Sequence, residues 1–331
     1  MIEVPDNGTH HHHHTYHGPH IDALVDESIS KLAPFSGLIL TIITVLVFAY
    51  RLYFIEKFLM NTRSYRGRYQ ALSEDQRRSL VNHHVAGTCK IVLLISAIYP
   101  FLSIAFGRAT PHTPFTPGSR ATMGDVMIVC SQLFTVMYIF ELFYRVNVSP
   151  ISAAHHVGAI VIAQSAVAIS LNFDHEQDAV IEFIMCFVWG AFDCIAELWP
   201  HIAMILYRLL PPSDEHSKRA RHFHGLMSRL FFSVAVMEIV GTTLETTVVF
   251  WLFGSLWHKW TLSFKVVTPI LHVLFSCAQL WGAWVFWNLS KKEARKAAGL
   301  LSSGVTQIED GEVGAIERLK SGGPLVSTTK V

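Results

Sequence analysis

Two adjacent histidines, His155 and His156, follow Pro150 inside an apolar segment that is long enough to cross a bilayer. An imidazole in hydrocarbon is costly unless it faces other polar groups or water, so the pair indicates a polar interior site. Imidazole can act as a general base or as a transient acyl acceptor when a carboxylate orients it and stabilises its cation. The carboxylates must then come from other segments of the chain.

Later apolar segments supply these partners. Asp193, Glu197 and His201 are spaced at i, i+4 and i+8, which places them on one helix face. Counting 1.5 Å per residue from the predicted cytosolic edge places the histidine pair about 8 Å deep, His201 about 10 Å deep and Glu197 and Asp193 about 16 to 20 Å deep. By the same count Glu245 lies deeper, somewhat beyond about 25 Å. We predict two groups: a catalytic set of His155, His156, Asp193 and Glu197, and substrate-binding residues His201, Glu238, His272 and Gln279.

These polar residues also have structural interpretations. The whole set could be a hydrogen-bond network that only locks the bundle, although so many ionisable groups are a costly way to do so. We interpret Lys90 as snorkelling to the cytosolic interface, and His83 and His84 as interfacial. Glu141 and Arg145, at i and i+4, have the spacing of a structural ion pair.

Composition predicts a membrane protein, because 51% of the 331 residues are hydrophobic and 15% are charged. Apolar blocks of roughly 20 residues or more predict an all-α, polytopic fold with about seven transmembrane helices. The predicted spans are residues 35–55, 83–106, 123–143, 151–171, 179–208, 227–254 and 262–289. The predicted parts are a disordered His-rich luminal tail (1–34), a first transmembrane helix (35–55), a six-span domain (56–291) and a disordered cytosolic tail (292–331).

Basic residues predict the orientation in the membrane. Arginines and lysines are concentrated in residues 57–78, 218–221 and 291–296, so these segments should be cytosolic. The loop at 172–178 carries acidic residues and no cation, which agrees with a luminal position. The N-terminus is then luminal and the C-terminus cytosolic. The five cysteines lie in apolar blocks, so we expect no structural disulfide.

The motif around the histidine pair resembles the TLC domain, which is shared by the translocating-chain-associated, Lag and neuronal-ceroid-lipofuscinosis membrane proteins. The resemblance rests on residues 141–145, Ser149-Pro150 and His155-His156, followed by the acidic segment 192–197. It covers residues 56–291 and implies a ring of membrane helices enclosing a polar site. Trp189 and Gly190 stand where ceramide synthases, one branch of this family, carry a further His-Asp pair.

The resemblance implies a function in lipid metabolism or lipid binding and a location in the endoplasmic reticulum. Within the family, ceramide synthases transfer an acyl group from acyl-CoA to a lipid amine. One hypothesis is therefore acyl transfer from acyl-CoA to a lipid amine or hydroxyl, with a membrane lipid or fatty-acyl substrate. The alternative is a non-enzymatic lipid-binding sensor, membrane-homeostasis or trafficking factor. A homo-oligomer would be compatible with either hypothesis.

No cofactor is required by either hypothesis. A zinc site built from histidines and acids is chemically sensible, but a tetrahedral ligand set cannot be assembled from the spacings, so no metal is predicted. A retinal protein would need a lysine near the middle of the last span, and residues 272–279 contain none. Nothing in the sequence supports nucleic-acid binding.

Overall fold

The computed structural model describes residues 29–171, 179–210 and 217–299, and within these ranges the regular elements are helices. A single β-bridge joins Pro114 to Thr122 in a connecting loop. The helices are α1 (Ser36–Ala49), α2 (Arg66–Ala71), α3 (Glu74–Ala105), α4 (Met123–Tyr144), α5 (Pro150–Ser170), α6 (Ala179–Leu209), α7 (Lys218–Ser255) and α8 (Leu262–Ala297). A 3₁₀ turn (Ala33–Phe35) precedes α1, and a π-helical stretch (Tyr50–Phe58) and a 3₁₀ turn (Leu59–Asn61) extend it. The all-helical prediction is confirmed for the described residues.

Side-chain caps begin several of these helices. The hydroxyl of Ser73 accepts from the backbone N–H of Gln76 while the Gln76 side chain accepts from the backbone of Ser73, and Thr122 forms the same reciprocal pair with Asp125. Ser149 caps α5, whose first residue is Pro150. Such caps satisfy donors that the first turn of a helix leaves unpaired. The start of α5 is therefore fixed only a few residues before the histidine pair.

Six helices form a closed ring around the interior. Neighbouring helices pack in the order α3, α4, α5, α8, α7 and α6, and α6 packs back on α3. Helix α6 also contacts α5 inside the ring, whereas α1 packs on the outside against α4. The ring thus brings α5, which carries the histidine pair, against α6, which carries the acidic segment.

Among the described residues, six segments are long and apolar enough to cross a membrane: the α1 segment, α3, α4, α5, α7 and α8. Large apolar side chains on their outer surfaces are exposed, including Leu38, Ile95 and Val161, as expected for helices that face lipid. These features support an integral membrane protein. Helix α6 is not among the six, so the predicted total of seven spans stays a prediction.

The structure differs from the sequence prediction at both tails. Ile29 and Ala33 are buried, and the Ser30 hydroxyl donates to Asp125 at 2.5 Å, so the last residues of the predicted luminal tail pack on the bundle. Helix α8 continues to Ala297, beyond the domain boundary predicted at residue 291. The side chains of Ser290 and Glu293 are buried, so this last part of the helix packs on the bundle. The remaining tail residues, 1–28 and 300–331, and the acidic loop 172–178 lie outside the described residues.

Candidate functional site

The ring encloses a cluster of one imidazole and two carboxylates. His155 Nε2 lies 3.7 Å from Asp193 Oδ1 and 3.7 Å from Glu197 Oε1. These distances are too long for hydrogen bonds, and neither His155 nitrogen nor Asp193 Oδ1 has a hydrogen-bond partner. Because buried polar atoms are normally paired, these atoms are available to a bound group. We call His155, Asp193 and Glu197 the central cluster.

Two further side chains hold the outer oxygens of the central cluster. Lys90 Nζ lies 2.7 Å from Glu197 Oε2, and the Tyr138 hydroxyl donates to Asp193 Oδ2. The second oxygen of each carboxylate is thereby turned toward His155. Lys90 is only 1% exposed, so the interpretation that it snorkels to the interface is wrong. A carboxylate within the ring compensates its charge, which makes burial of the ammonium tolerable.

A largely apolar cavity of about 250 Å³ ends on this cluster. His155 and Asp193 line one part of it, and most of its remaining wall is apolar. From Asp193 the wall follows α6 back to Phe183, a rise of about 15 Å for ten residues. On the facing helix α3, one face that runs from Leu93 to Leu102 and includes Ala97 and Phe101 lines the same region. The cavity therefore combines a polar end with an apolar arm that is long enough for part of a hydrocarbon chain.

His156 faces away from the cavity. Its Nε2 lies 3.6 Å from Glu141 Oε2, and its ring stacks on Tyr138 with centroids 4.5 Å apart. Glu141 also pairs with Arg145 at 2.6 Å, the ion pair that its i, i+4 spacing indicates. Successive helical residues point about 100° apart, so His155 and His156 cannot share one environment. Of the two, only His155 lines the cavity.

His201 does not join the central cluster. Its Nδ1 lies 2.9 Å from Nδ1 of His83, and both rings are buried. The interfacial interpretation of His83 is therefore wrong, because α3 packs along α6 and brings His83 against His201 inside the bundle. This pair lies apart from the cavity wall, to which neither histidine contributes.

The other predicted substrate-binding residues belong to α7 and α8. Glu238 is buried and shows no side-chain hydrogen bond or ion pair among the described residues. His272 forms a hydrogen bond with the Thr246 hydroxyl, 3.2 Å from its Nε2. His272 does not line the cavity. Gln279 does line the cavity and donates to Glu245 Oε2 at 2.9 Å.

A divalent cation could be held by the central cluster. One ligand atom from each of its three residues lies within 4.8 Å of those of the other two. Ligands at the 2.0–2.1 Å typical of zinc are roughly 3.4 Å apart in a tetrahedron, which is close to the observed 3.7 Å. Lys90 already places a resident cation against Glu197. The prediction that no metal is required stays a prediction.

Sequence reasoning missed three contributors: Lys90, Tyr138 and Glu245. Tyr138 precedes Glu141 by three residues, which places the two on one helix face, but an aromatic residue in an apolar span is more typical of a packed core. The predicted depth of Glu245 in the membrane was much greater than that of the histidine pair, yet Glu245 lines the same cavity as His155. The signal for Tyr138 and Glu245 would have been their position on a face shared with other polar residues.

Loss of the Tyr138 hydroxyl should destabilise the bundle. In Tyr138→Phe, the buried Asp193 carboxylate loses its hydrogen-bond donor, so the free energy of unfolding in detergent should fall by about 1.5–3 kcal/mol. Tyr99→Phe is the matched control, since Tyr99 is exposed, and it should change the unfolding free energy by less than about 0.5 kcal/mol. Equal stability of the two variants would contradict the contact.

No family model, curated protein or solved structure matches this chain. The function is therefore inferred from the geometry of the site together with the motif resemblance.

Proposed function

We propose that this protein is a lipid-handling membrane enzyme that transfers an acyl group from acyl-CoA to the amine or hydroxyl of a lipid. The supporting observation is the apolar cavity that ends on His155 and Asp193, because it places a hydrocarbon-binding space directly beside unpaired buried polar atoms. Ligand sites commonly have this form, with mostly apolar walls and a few polar groups that fix the reacting end.

The apolar arm would hold the acyl chain. Phe101, Phe183 and Phe187 line it at a distance from the central cluster along α3 and α6. Gly158 lets Phe275 pack closely against α5 beside the polar end, because a Cβ there would come 3.1 Å from the ring of Phe275, which packs against His155. The chain would enter the arm and leave the acyl carbonyl next to His155.

Two carboxylate oxygens and His155 Nε2 face one another in the central cluster, and a neutral imidazole with its proton on Nδ1 offers Nε2 as an acceptor. An amine entering between them could donate one N–H to Nε2 of His155 and another to a carboxylate oxygen, whereas a hydroxyl would donate its single O–H to Nε2. In the proposed step, His155 Nε2 takes the proton while the acceptor nitrogen or oxygen attacks the acyl carbonyl carbon. The carbon–sulfur bond then breaks, and the leaving CoA thiolate takes the proton back from His155. Asp193 and Glu197, each 3.7 Å from Nε2, stabilise the intervening imidazolium.

The proposed setting is a TLC-type bundle in the endoplasmic reticulum with seven spans. The ends of the helices that carry Arg66, Arg78 and Lys218 would face the cytosol and the N-terminus would be luminal. His155 lies in the second turn of α5, close to that basic end, and a CoA thioester would arrive from the cytosol. The basic residues there could attract its phosphates.

The test is incubation of the purified protein in detergent with isotope-labelled hexadecanoyl-CoA and a membrane lipid extract. We expect labelled lipid amides or esters together with release of free CoA, quantified by mass spectrometry. Lipid that copurifies without any consumption of the acyl donor would contradict the enzyme and favour the non-enzymatic lipid-binding alternative. Absence of both bound lipid and turnover would contradict the lipid site itself.

Filling the arm should shorten the acyl chain that the protein accepts. Ala163 lines the cavity on α5, two turns beyond His155, so Ala163→Phe would occupy space that the chain needs. We expect the preferred acyl length to fall by several carbons, measured by competition among acyl-CoA donors of different length. Ala154→Phe, on the exposed side of the same helix, should keep the wild-type preference. The same length preference in both variants would rule out the arm as the chain site.

A further inference from the structure

A second polar group in the cavity wall lies apart from the central cluster. Gln279 on α8 donates to Glu245 Oε2 on α7, while its own carbonyl oxygen Oε1 is buried without a partner. Trp189 on α6 also lines the cavity, and its indole N–H is buried without a partner. Three helices of the ring thus bring a carboxylate, an amide oxygen and an N–H donor to one cavity.

The side chains of this second group are connected through α8. The Trp189 ring stacks on Phe275, with centroids 6.4 Å apart, and Gln279 follows Phe275 by one helical turn on α8. Trp189 also stacks on His272, which precedes Phe275 by about one turn. Its orientation is therefore fixed by two aromatic contacts. We call Glu245, Gln279 and Trp189 the second subsite.

The unpaired atoms of the second subsite are complementary to a hydroxyl group. Gln279 Oε1 can accept a hydrogen bond, and Trp189 Nε1 can only donate one, while the Glu245 carboxylate holds the Gln279 amide through Oε2. A hydroxyl donates and accepts at the same time, whereas a protonated amine has no lone pair for the indole and a plain methylene satisfies neither. Unpaired buried donors and acceptors are costly, so a ligand that satisfies them gains selectivity over one that does not.

We infer that the second subsite recognises a hydroxyl group carried by the chain of the bound lipid. The inference rests on the proposed function only in placing a lipid chain in the cavity. Trp189 precedes Asp193 by four residues, about 6 Å along α6. The recognised hydroxyl therefore lies a few carbons from the polar head that occupies the central cluster. The lipid class is a single-chain amphiphile with a hydroxylated chain.

The experiment is a competition that does not depend on acyl transfer. Purified protein, freed of copurifying lipid, is given equimolar hexadecan-1-ol and hexadecanediols that carry a second hydroxyl at positions from the third to the eighth carbon. The alcohol head adds no charge beside the two carboxylates of the central cluster. Bound lipid is then quantified by mass spectrometry. We expect at least one diol to bind about tenfold more tightly than hexadecan-1-ol, because the latter leaves the buried groups unpaired.

Two variants test the assignment to these residues. Gln279→Leu removes the unpaired carbonyl, and Trp189→Phe removes the indole N–H while keeping an aromatic ring, so both should reduce the preference to about twofold or less. Gln164→Leu is the matched control, because Gln164 bonds Gln132 and Thr135 outside the cavity wall, and it should keep the wild-type preference.

Equal binding of all the alcohols by the wild type would overturn the inference, as would a preference that persists in both Gln279→Leu and Trp189→Phe. A preference that follows the predicted pattern in a protein without acyl-transfer activity would support the second subsite and contradict the proposed enzyme. Failure of every alcohol to bind would contradict both.

Discussion

Replacing His155 with alanine is expected to lower the rate of acyl transfer by about two to four orders of magnitude. His155 is the only imidazole in the cavity wall of the described residues, and its Nε2 faces both carboxylates of the central cluster. The apolar arm is untouched by the substitution. The variant should therefore still bind lipid, which separates loss of chemistry from loss of binding. Both quantities are measured on the same preparation, by product formation and by bound lipid.

His84→Ala is the control for this experiment. His84 is a histidine of the same bundle, bonded to the Tyr65 hydroxyl at 3.1 Å and remote from the cavity wall. It should keep the wild-type rate within about twofold, because it takes no part in the proposed proton transfer. Turnover in His155→Ala that matches the wild type would show that the reaction does not use this imidazole.

Replacing Lys90 with methionine should lower the free energy of unfolding by about 3–5 kcal/mol, because it leaves the Glu197 carboxylate inside the ring without its cation. Adding Glu197→Gln to that variant removes the uncompensated charge. The double variant should recover most of the lost stability, since replacement of both partners of a buried ion pair is often neutral. Unfolding in detergent of the single and double variants measures the coupling between the two residues.

Arg78→Ala supplies the matched control for Lys90. Arg78 pairs with Glu74 at 2.9 Å on the surface, where ion pairs contribute about 0–1 kcal/mol. We expect its removal to change the unfolding free energy by no more than that. If Lys90→Met and Arg78→Ala were equally mild, or if Glu197→Gln failed to restore stability, the buried pair would not have the role assigned to it.

Local features of the sequence predicted much of the helical fold. Apolar runs of about 20 residues located the long helices, and the span predicted at 151–171 agrees with α5, which runs from Pro150 to Ser170 and is capped by Ser149. The i, i+4 spacing of Asp193 and Glu197 placed them on one face, and both now lie 3.7 Å from His155. These inferences succeeded because they depend on helix periodicity, which is a property of nearby residues.

The remaining contacts depend on which helices become neighbours. Lys90 and Glu197 are 107 residues apart, and His83 and His201 are 118 residues apart. No local pattern shows that α3 packs on α6, so the sequence could not tell a buried lysine from a snorkelling one. Counting the depth of each residue from the membrane edge also predicted the wrong partners for His201. It placed His201 nearest in level to the histidine pair, whereas the structure pairs His201 with His83.

The most direct measurement of the central claim is photo-crosslinking of a fatty acyl-CoA that carries a photoreactive group at the end of its chain. If the acyl chain occupies the cavity, crosslinked peptides should map to residues that line the apolar arm, such as Phe101, Phe183 and Phe187. An excess of hexadecanoyl-CoA without the photoreactive group should compete for the site and abolish this crosslinking. Labelling confined to the outer, exposed residues such as Ile95 and Val161 would instead show a chain in the surrounding lipid or detergent, and would contradict a lipid site inside the ring.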